Sequence, residues 1–398
     1  MANENQPTST RLLSLDALRG FDMFWIVGGE EIVHALYKIN PDGPLRLLAG
    51  QMTHKAWTGV AFYDLIFPLF VFIVGVSLVF SLRRSLEQHG PAITCRRIVT
   101  RAALMFVLGI ITYKGIAGGW EKVRVLGVLQ RIALCYLFAG LLFCALRTRG
   151  LVIACAALLV SYWALLTFVP IRDINLEQKH LEQLVAQTGA TDAHALFNAT
   201  TNRVTGKFDD GLNLAQHLDF QYLPGRKWDG AYDPEGLLST LPAIATCLLG
   251  VFAGLLLQNQ SVPGQKKVLI LFGAGAASVA LGFLWGLQFP VIKKIWTSSY
   301  VLVAGGYGCL FLGAFYQIIE LWRWRAWAQP FVWIGMNPIT IYLAHSFIDF
   351  ESIAERVVGG PVKAAAGAYG NLLLTLAVAG MSFLLVGFLY RRKIFLRL

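Results

Sequence analysis

Ionisable side chains recur inside long apolar segments or at their ends, and their chemistry is the first feature of this sequence to explain. His54 lies just before the apolar segment 57–82, and Asp64 lies inside it. Histidine is the side chain best suited to proton or acyl transfer near neutral pH. A histidine beside Lys55 and Trp57 is also a common interfacial residue, so the residue types alone leave both interpretations open.

Asp64 needs a partner of its own if this segment is a continuous helix. Ten residues span about 15 Å of helix, which would keep Asp64 away from His54. We therefore expect Asp64 to accept hydrogen bonds from freed backbone donors or from an arginine of another segment. Pro68 removes one helix hydrogen bond and is expected to kink the helix.

The first apolar segment carries two further groups of charges. Asp16 and Arg19 are three residues apart and share a helix face, which predicts an ion pair. Glu30 and Glu31 lie near the other end, and Glu30 is four residues before His34, a spacing that allows these two to pair. Charged residues at the bilayer centre cost roughly 2.5–3.5 kcal/mol each, so they usually face a partner or a site.

Later segments repeat this pattern of polar ends. Asp233 and Glu235 precede an apolar segment, where carboxylates can cap a helix and interact with its dipole. Arg131 and Asn337 fall within two other segments. Several clusters lie at the predicted outer ends, which together indicate a polar cavity that opens to the outer side and continues inward.

The composition predicts an all-α polytopic membrane protein. Of 398 residues, 56% are hydrophobic and only 14% are charged, whereas soluble domains carry about 25% charge. Apolar runs near 20 residues indicate ten transmembrane helices. The predicted spans are 13–36, 57–82, 98–113, 126–146, 150–170, 237–257, 267–289, 298–321, 329–348 and 368–390.

The basic residues predict the orientation of these spans. The net charge is +11, and the basic residues cluster at span ends, which indicates membrane orientation rather than nucleic-acid binding. This pattern places both termini in the cytoplasm and the entrance of the second span outside. The domains are then a tail (1–12), helices 1–5 (13–170), a long outer loop (171–236), helices 6–10 (237–390) and a second tail (391–398).

Metal binding and a disulfide framework are not indicated by the sequence. The six cysteines have no CxxC spacing. The outer loop contains a helix-like segment, 175–197, and three histidines, His180, His194 and His217, which lack metal-ligand spacing and are expected at the surface. No removable signal peptide is recognised at the N-terminus.

Six stretches occur in an order that is specific in combination: "LDALRGFDM", "HKAWTGVAFYDLIFPLFVFIVGVSL", "WEKVRVLGVLQRIALCY", "YDPEGLLSTLPAIATCLLGVFAG", "WTSSYVL" and "GMNPITIYLAHS". From about residue 11 to 348 the chain resembles the transmembrane acetyltransferase family of heparan-α-glucosaminide N-acetyltransferase. The resemblance implies transfer of an acetyl group from cytosolic acetyl-CoA to an amino sugar beyond the membrane. It also implies that His54, in "THKAWTG", is the active-site histidine.

The resemblance and the polar clusters together define an expected site. Glu30 stands where the animal enzyme has an asparagine, and Asn337 could support the thioester carbonyl. Besides His54, the expected catalytic residues are therefore Glu30 and Asn337. The expected substrate-binding residues are Glu31, Asp64, Asp233, Glu235, Arg124 and Ser298. The expected acetyl-CoA-binding residues, through charge-assisted hydrogen bonds to phosphate, are Arg19, Arg83, Arg84, Arg97, Arg101 and Arg131.

The expected partners are the lipid bilayer, acetyl-CoA and the amino-sugar acceptor, in the bacterial inner membrane. The resemblance suggests a homodimer, although no motif demonstrates one. Two other functions remain open, a transporter of amino sugars or other small solutes and an O-acyltransferase acting on envelope glycans. The sequence also leaves open whether His54 carries the acetyl group or acts as a general base.

Overall fold

The computed structural model describes residues 12–113 and 115–396 as a mostly helical protein. Of the two predicted tails, residues 1–11 and 397–398 lie outside the described part. Within it, seven helical stretches are long and apolar enough to cross a membrane, as judged by length and composition. They are Phe62–Thr112, Val128–Ala145, Thr148–Phe168, Thr240–Gln258, Gly264–Gly286, Ser298–Leu321 and Gly367–Arg391.

The first of these stretches contains two of the predicted spans. Its α-helical part, α4 (Ile66–Thr112), is interrupted at Gly90, where φ is 76°. The hydroxyls of Ser85 and Thr94 are 2.9 Å apart, whereas nine residues of continuous helix would separate them by about 13 Å. The two halves of α4 therefore fold back on each other at Gly90. Glycine adopts this positive φ without a steric penalty.

The predicted kink at Pro68 is wrong. Pro68 lies in the first turn of α4, where its missing N–H has no helical partner to lose. The chain just before α4 is a short 3₁₀ turn, Phe62–Leu65, and residues 54–61 form no helix.

Two predicted spans, the first and the ninth, are interrupted helices. α1 (Leu13–Phe24) runs through a π-helical turn, Trp25–Gly29, into α2 (Glu30–Ile39). α13 (Gln329–Met336) and α14 (Pro338–Phe347) are separated at Asn337, because the residue before a proline is disfavoured in helical conformation. The total of ten spans stays a prediction.

The other helices comprise those of the remaining six candidate spans and the shorter helices before or between them. They are α3 (Pro44–Gln51), α5 (Val128–Ala145), α6 (Thr148–Phe168), α7 (Gln178–Thr188), α8 (Ala193–Ala199), α9 (Leu214–Tyr222), α10 (Thr240–Gln258), α11 (Gly264–Gly286), α12 (Ser298–Tyr316), α15 (Phe350–Val358), α16 (Gly360–Ala365) and α17 (Gly370–Arg391). Two short strands, β1 (Ile171–Arg172) and β2 (Arg203–Val204), pair antiparallel.

The predicted outer loop is an ordered unit. It contains α7, α8, α9 and the two strands. α7 lies within the predicted helical segment 175–197, and α8 begins within it and ends at Ala199. The expectation that His217 is a surface residue is wrong. Its ring is buried and Nε2 lies 3.2 Å from the carbonyl oxygen of Ile174. Burial lowers the pKa of His217 to about 4, so it is a neutral packing residue at pH 7.

Close packing of α1 on α13 holds the first and ninth predicted spans together. A Cβ on Gly335 would overlap the main-chain carbonyl of Asp16, and a Cβ on Gly20 would overlap that of Phe331. Glycine at both positions lets the two backbones approach directly, as small residues do at membrane helix interfaces.

We predict that Gly335→Ala destabilises the protein by about 1–3 kcal/mol, because the added methyl group has no space without a backbone shift. The apparent melting temperature in detergent measures the effect. Gly273→Ala in α11 is the matched control, since nothing lies within 4 Å of its added Cβ. Equal melting temperatures for both variants would contradict the proposed close approach of α1 and α13.

Candidate active site

His54 and Asp64 are in direct contact at the entrance to α4. Nδ1 of His54 lies 2.8 Å from Oδ1 of Asp64, so the expected separation of about 15 Å is wrong. The reason is local, since residues 54–61 are not helical and bend back over the start of the helix. Asp64 is 1% exposed, whereas the His54 side chain is 52% exposed, so a buried acid supports an accessible imidazole.

Asp64 uses both carboxylate oxygens. Its Oδ2 accepts from the backbone N–H groups of Ala61, at 3.0 Å, and Lys55, at 3.2 Å. Its main-chain carbonyl accepts from the hydroxyl of Tyr300 in α12, at 2.6 Å. Because a buried carboxylate is stabilised by hydrogen bonds of this kind, Asp64 fixes the loop that carries His54. When Asp64 accepts a hydrogen bond from Nδ1–H of a neutral His54, the lone pair of the other ring nitrogen, Nε2, stays available.

The loop that precedes α12 packs against the loop of His54. Thr58 and Ile292 form an antiparallel bridge, and Gly59 N–H donates to the carbonyl of Val291 at 2.9 Å. This pairing places Nζ of Lys293 2.9 Å from Nδ1 and 3.3 Å from Nε2 of His54. The same ammonium is 3.4 Å from Oδ1 of Asp64.

Glu30 approaches the same histidine through Tyr63. The rings of His54 and Tyr63 lie 4.7 Å apart, and the Tyr63 side chain hydrogen-bonds to Glu30. The predicted Glu30–His34 pair is present, with 3.7 Å between Oε1 and Nε2. Glu31 points elsewhere and lines a separate cavity of about 360 Å³ with Asp349 and Glu351.

Arg124, Asp233 and Glu235 form a closed ionic cluster. Arg124 donates to Asp233 at 2.9 and 2.7 Å and to Glu235 at 2.5 Å, and it lies between the rings of Tyr113 and Trp228. The predicted capping role of the two acids is wrong, because α10 begins only at Thr240 and no side chain caps it.

Arg124 is paired with both buried carboxylates, which favours a structural role for this cluster. Burial raises the pKa of Glu235, and the nearby Arg131 and Arg124 oppose that change. Asp219 of α9 accepts from the backbone N–H of Leu237, at 2.8 Å. Burial raises the pKa of Asp219 to about 7.

Arg131 and Ser298 are both fully buried. Arg131 donates to the Ser239 hydroxyl at 2.5 Å and to the Gly236 carbonyl at 3.2 Å, and it lies over the ring of Trp296. Ser298 donates to the carbonyl of Leu159 at 2.7 Å. This hydrogen bond of Ser298 connects α12 to α6. The contacts of Arg131 are separate from those of the other predicted phosphate-binding arginines.

A second cavity, of about 320 Å³, has Arg19 and Arg101 in its wall. The predicted Asp16–Arg19 pair is present at 3.2 Å, and Arg19 also donates to Ser77 at 2.6 Å. The guanidinium of Arg101 lies over the ring of Tyr136. Of the other expected arginines, Arg83, Arg84 and Arg97 are exposed, and Arg83 contacts Gln258 and Glu87.

Asn337 lies at the break between α13 and α14, and its neighbours Met336 and Pro338 line this cavity. The side chain is 1% exposed, and neither amide atom has a hydrogen-bond partner among residues 12–113 and 115–396. An unpaired buried amide is costly, and a polar ligand group in the adjacent cavity would satisfy it. No cluster of potential metal ligands occurs among the described residues.

Comparison with known proteins finds similarity to one family. The sequence model of the catalytic region of heparan-alpha-glucosaminide N-acetyltransferase matches residues 11–179, a segment that contains His54, Asp64 and Arg101. The heparan-alpha-glucosaminide N-acetyltransferase of Homo sapiens is 29% identical over 340 residues, and that of Mus musculus is 28% identical over 339. The chain resembles this family over most of its length. Each match covers 74% of this chain and 49% of the relative, so the chain spans about half the length of these acetyltransferases.

Two residues at the site were not predicted from the sequence. The sequence does not predict either Lys293 or Tyr63 as a site residue. Neither has a local signal, since Lys293 is 239 residues from His54. The dipeptide Lys293-Lys294 beside an apolar segment was the one indication available, and it equally fits a membrane interface.

We predict that Arg124→Ala lowers the free energy of unfolding by about 3–5 kcal/mol, because it leaves Asp233 and Glu235 buried without their cation. Thermal unfolding in detergent measures this effect. Arg83→Ala is the control, since its ion pair with Glu87 is exposed and surface pairs contribute only about 0–1 kcal/mol. Similar stabilities for the two variants would rule out a structural role for the cluster.

Proposed function

We propose that this protein is a transmembrane acetyltransferase that transfers the acetyl group of cytosolic acetyl-CoA to the amino group of a glucosamine-type sugar. Transfer takes place at the predicted outer side of the membrane, at His54. The observation that carries the proposal is the contact between the exposed imidazole of His54 and the buried carboxylate of Asp64. The similarity to this family supports an acyl-transfer reaction at this pair.

The His54–Asp64 pair has the features of an activated nucleophile or base. Asp64 holds Nδ1–H and so orients the ring, as a carboxylate does in other histidine-based catalytic pairs. The lone pair on Nε2 then either attacks the thioester carbonyl carbon or accepts a proton from the acceptor amine. In both routes the carbon–sulfur bond breaks, the sulfur leaves with the bonding electrons, and the amine nitrogen becomes bonded to the acetyl carbon. The proton that the amine loses ends on the leaving sulfur, which gives the free thiol.

The donor fits the cavity that contains Arg19 and Arg101. Phe70 in its wall lies six residues after Asp64, or roughly 9 Å along the helix, so the cavity begins close beneath the histidine. The two guanidinium groups are suited to phosphate oxygens. The unpaired amide of Asn337 is suited to an amide or thioester group of the pantetheine arm.

The proposed acceptor site lies beside the imidazole, near Glu30. Glu30 lies near His54 through Tyr63, and a carboxylate at this position can hold a sugar ammonium or hydroxyl group. The role of Glu31 is less direct, because it lines a different cavity. Arg124, Asp233, Glu235 and Ser298 are assigned to the walls of the site rather than to substrate contacts, since their polar groups already have protein partners.

A transporter is the second candidate, and the interrupted helices favour it. The π-helical turn at Trp25–Gly29 and the break at Asn337 resemble the discontinuous helices that form substrate sites in secondary transporters. A transporter would accumulate labelled glucosamine in proteoliposomes without acetyl-CoA. An acetyltransferase needs acetyl-CoA for any change in the sugar.

We predict that purified protein transfers label from acetyl-CoA to glucosamine and that His54→Ala abolishes the transfer, because no other group replaces Nε2. The formation of N-acetylated sugar is measured by chromatography. His180→Ala, an exposed histidine of the outer loop, is the control and is expected to keep full activity. Transfer by a folded His54→Ala variant would exclude the proposed role of His54, and an inactive wild type with sugar uptake would support the transporter.

A further inference from the structure

Lys293 is the cation closest to the atom at which we expect acyl transfer. Its Nζ lies 2.9 Å from Nδ1 and 3.3 Å from Nε2 of His54. The in-plane lone-pair directions of the two ring nitrogens diverge, so an atom this close to both lies over the face of the ring. The ammonium therefore leaves the in-plane approach to Nε2 open.

The loop that carries Lys293 is held rigidly. Trp296 has a positive φ of 53°, a left-handed conformation that is unfavourable for a residue other than glycine. It is maintained by the surrounding contacts, because the Trp296 indole is buried and donates to Thr246 at 3.1 Å. The backbone N–H of Trp296 also closes a turn onto the carbonyl of Lys293, at 2.9 Å. These contacts fix the backbone of the turn, and Oδ1 of Asp64, 3.4 Å from Nζ, holds the ammonium beside His54.

We propose that Lys293 is a further catalytic residue, whose ammonium stabilises the oxyanion that forms on the carbonyl oxygen of the transferring acetyl group. This inference rests on the proposed acetyl transfer at His54. When a nucleophile bonds to the carbonyl carbon, the π electrons move to oxygen, and they return as the carbon–sulfur bond breaks. A fixed cation over the ring face lies beside that oxygen and stabilises its charge without giving up a proton.

Lys293 stabilises the same oxyanion in both routes at His54. If Nε2 attacks the thioester, the carbonyl carbon becomes bonded to Nε2 and the oxyanion forms two bonds away from Nε2, within reach of Nζ. If the acceptor amine attacks and Nε2 removes its proton, the same carbonyl carbon must still lie next to the imidazole. Lys293 therefore acts on the acetyl oxygen, whereas Asp64 positions the ring through Nδ1.

The charges around Lys293 predict how the turnover rate depends on pH. The groups that face it are His54, Asp64, Glu30 and Glu235. Burial lowers the pKa of Lys293, and the three carboxylates only partly offset this effect. As pH rises through this lowered pKa, the ammonium loses its proton, so the turnover rate of an enzyme that needs the charge falls on the alkaline side.

The adjacent lysine provides a matched control. Lys294 pairs with Asp229 at 3.0 Å and lies near Asp210 in the outer loop, at 3.9 Å. Lys294 has the same side chain as Lys293 and is adjacent to it in the sequence, but its ammonium pairs with Asp229 and not with the groups at His54. Lys294→Met removes one positive charge from the same loop without removing the cation at the imidazole.

The test measures kcat and KM for acetyl transfer to glucosamine between pH 6 and pH 10 in the wild type, Lys293→Met, Lys293→Arg and Lys294→Met. We expect Lys293→Met to lower kcat by about 100-fold or more, as loss of one oxyanion donor does, with a smaller change in KM. Lys293→Arg should restore part of the rate and move the alkaline fall to higher pH, since guanidinium stays charged. Lys294→Met should retain the wild-type kcat.

Three results would overturn the proposal. The first is a wild-type kcat in a folded Lys293→Met variant. The second is an alkaline fall in Lys293→Arg at the same pH as in the wild type, which also decides the question if Lys293→Met does not fold. The third is a rate that rises with pH in the wild type and not in Lys293→Arg, which would make Lys293 a base. An inactive wild type would instead refute the proposed function itself.

Discussion

The burial of Asp64 constrains the end of the helix bundle at which His54 lies. A buried carboxylate without partners would be strongly unfavourable, and this one is compensated by two backbone N–H groups, the imidazole of His54 and the ammonium of Lys293. These partners come from the loop before α4 and from the loop before α12. One acidic side chain therefore holds together two segments that are more than 200 residues apart in sequence.

The molecule contains two clusters of charged side chains that differ in their exposure to solvent. Around Arg124, all three charged groups are buried and matched to one another, which makes the cluster a support for the outer loop. Around Asp64, the acid is buried but the imidazole it supports is half exposed. Only the second arrangement leaves a reactive nitrogen that a substrate can reach, and the cavity with Arg19 and Arg101 begins within about two helical turns of it.

The sequence predicted those features that depend on neighbouring residues or on long apolar runs. Asp16–Arg19 and Glu30–His34 are pairs within one helix, and both are present. The contacts of His54 were not predictable in this way, because they depend on the loss of helix before Phe62 and on the pairing of two distant loops. Asp233 and Glu235 were assigned to a helix cap for the same reason, since their partner Arg124 is more than 100 residues away. The family resemblance predicted His54 as the active-site residue, but the contacts of its ring with Asp64 and Lys293 are seen only in the structure.

The central claim is that one protein joins a donor on the inner side to an acceptor on the outer side through His54. The most direct measurement uses sealed proteoliposomes with labelled acetyl-CoA inside and glucosamine outside. The account predicts N-acetylated sugar in the external medium, with none from vesicles that contain the His54→Ala variant. Product that appears only when both substrates are on the same side of the membrane would contradict it.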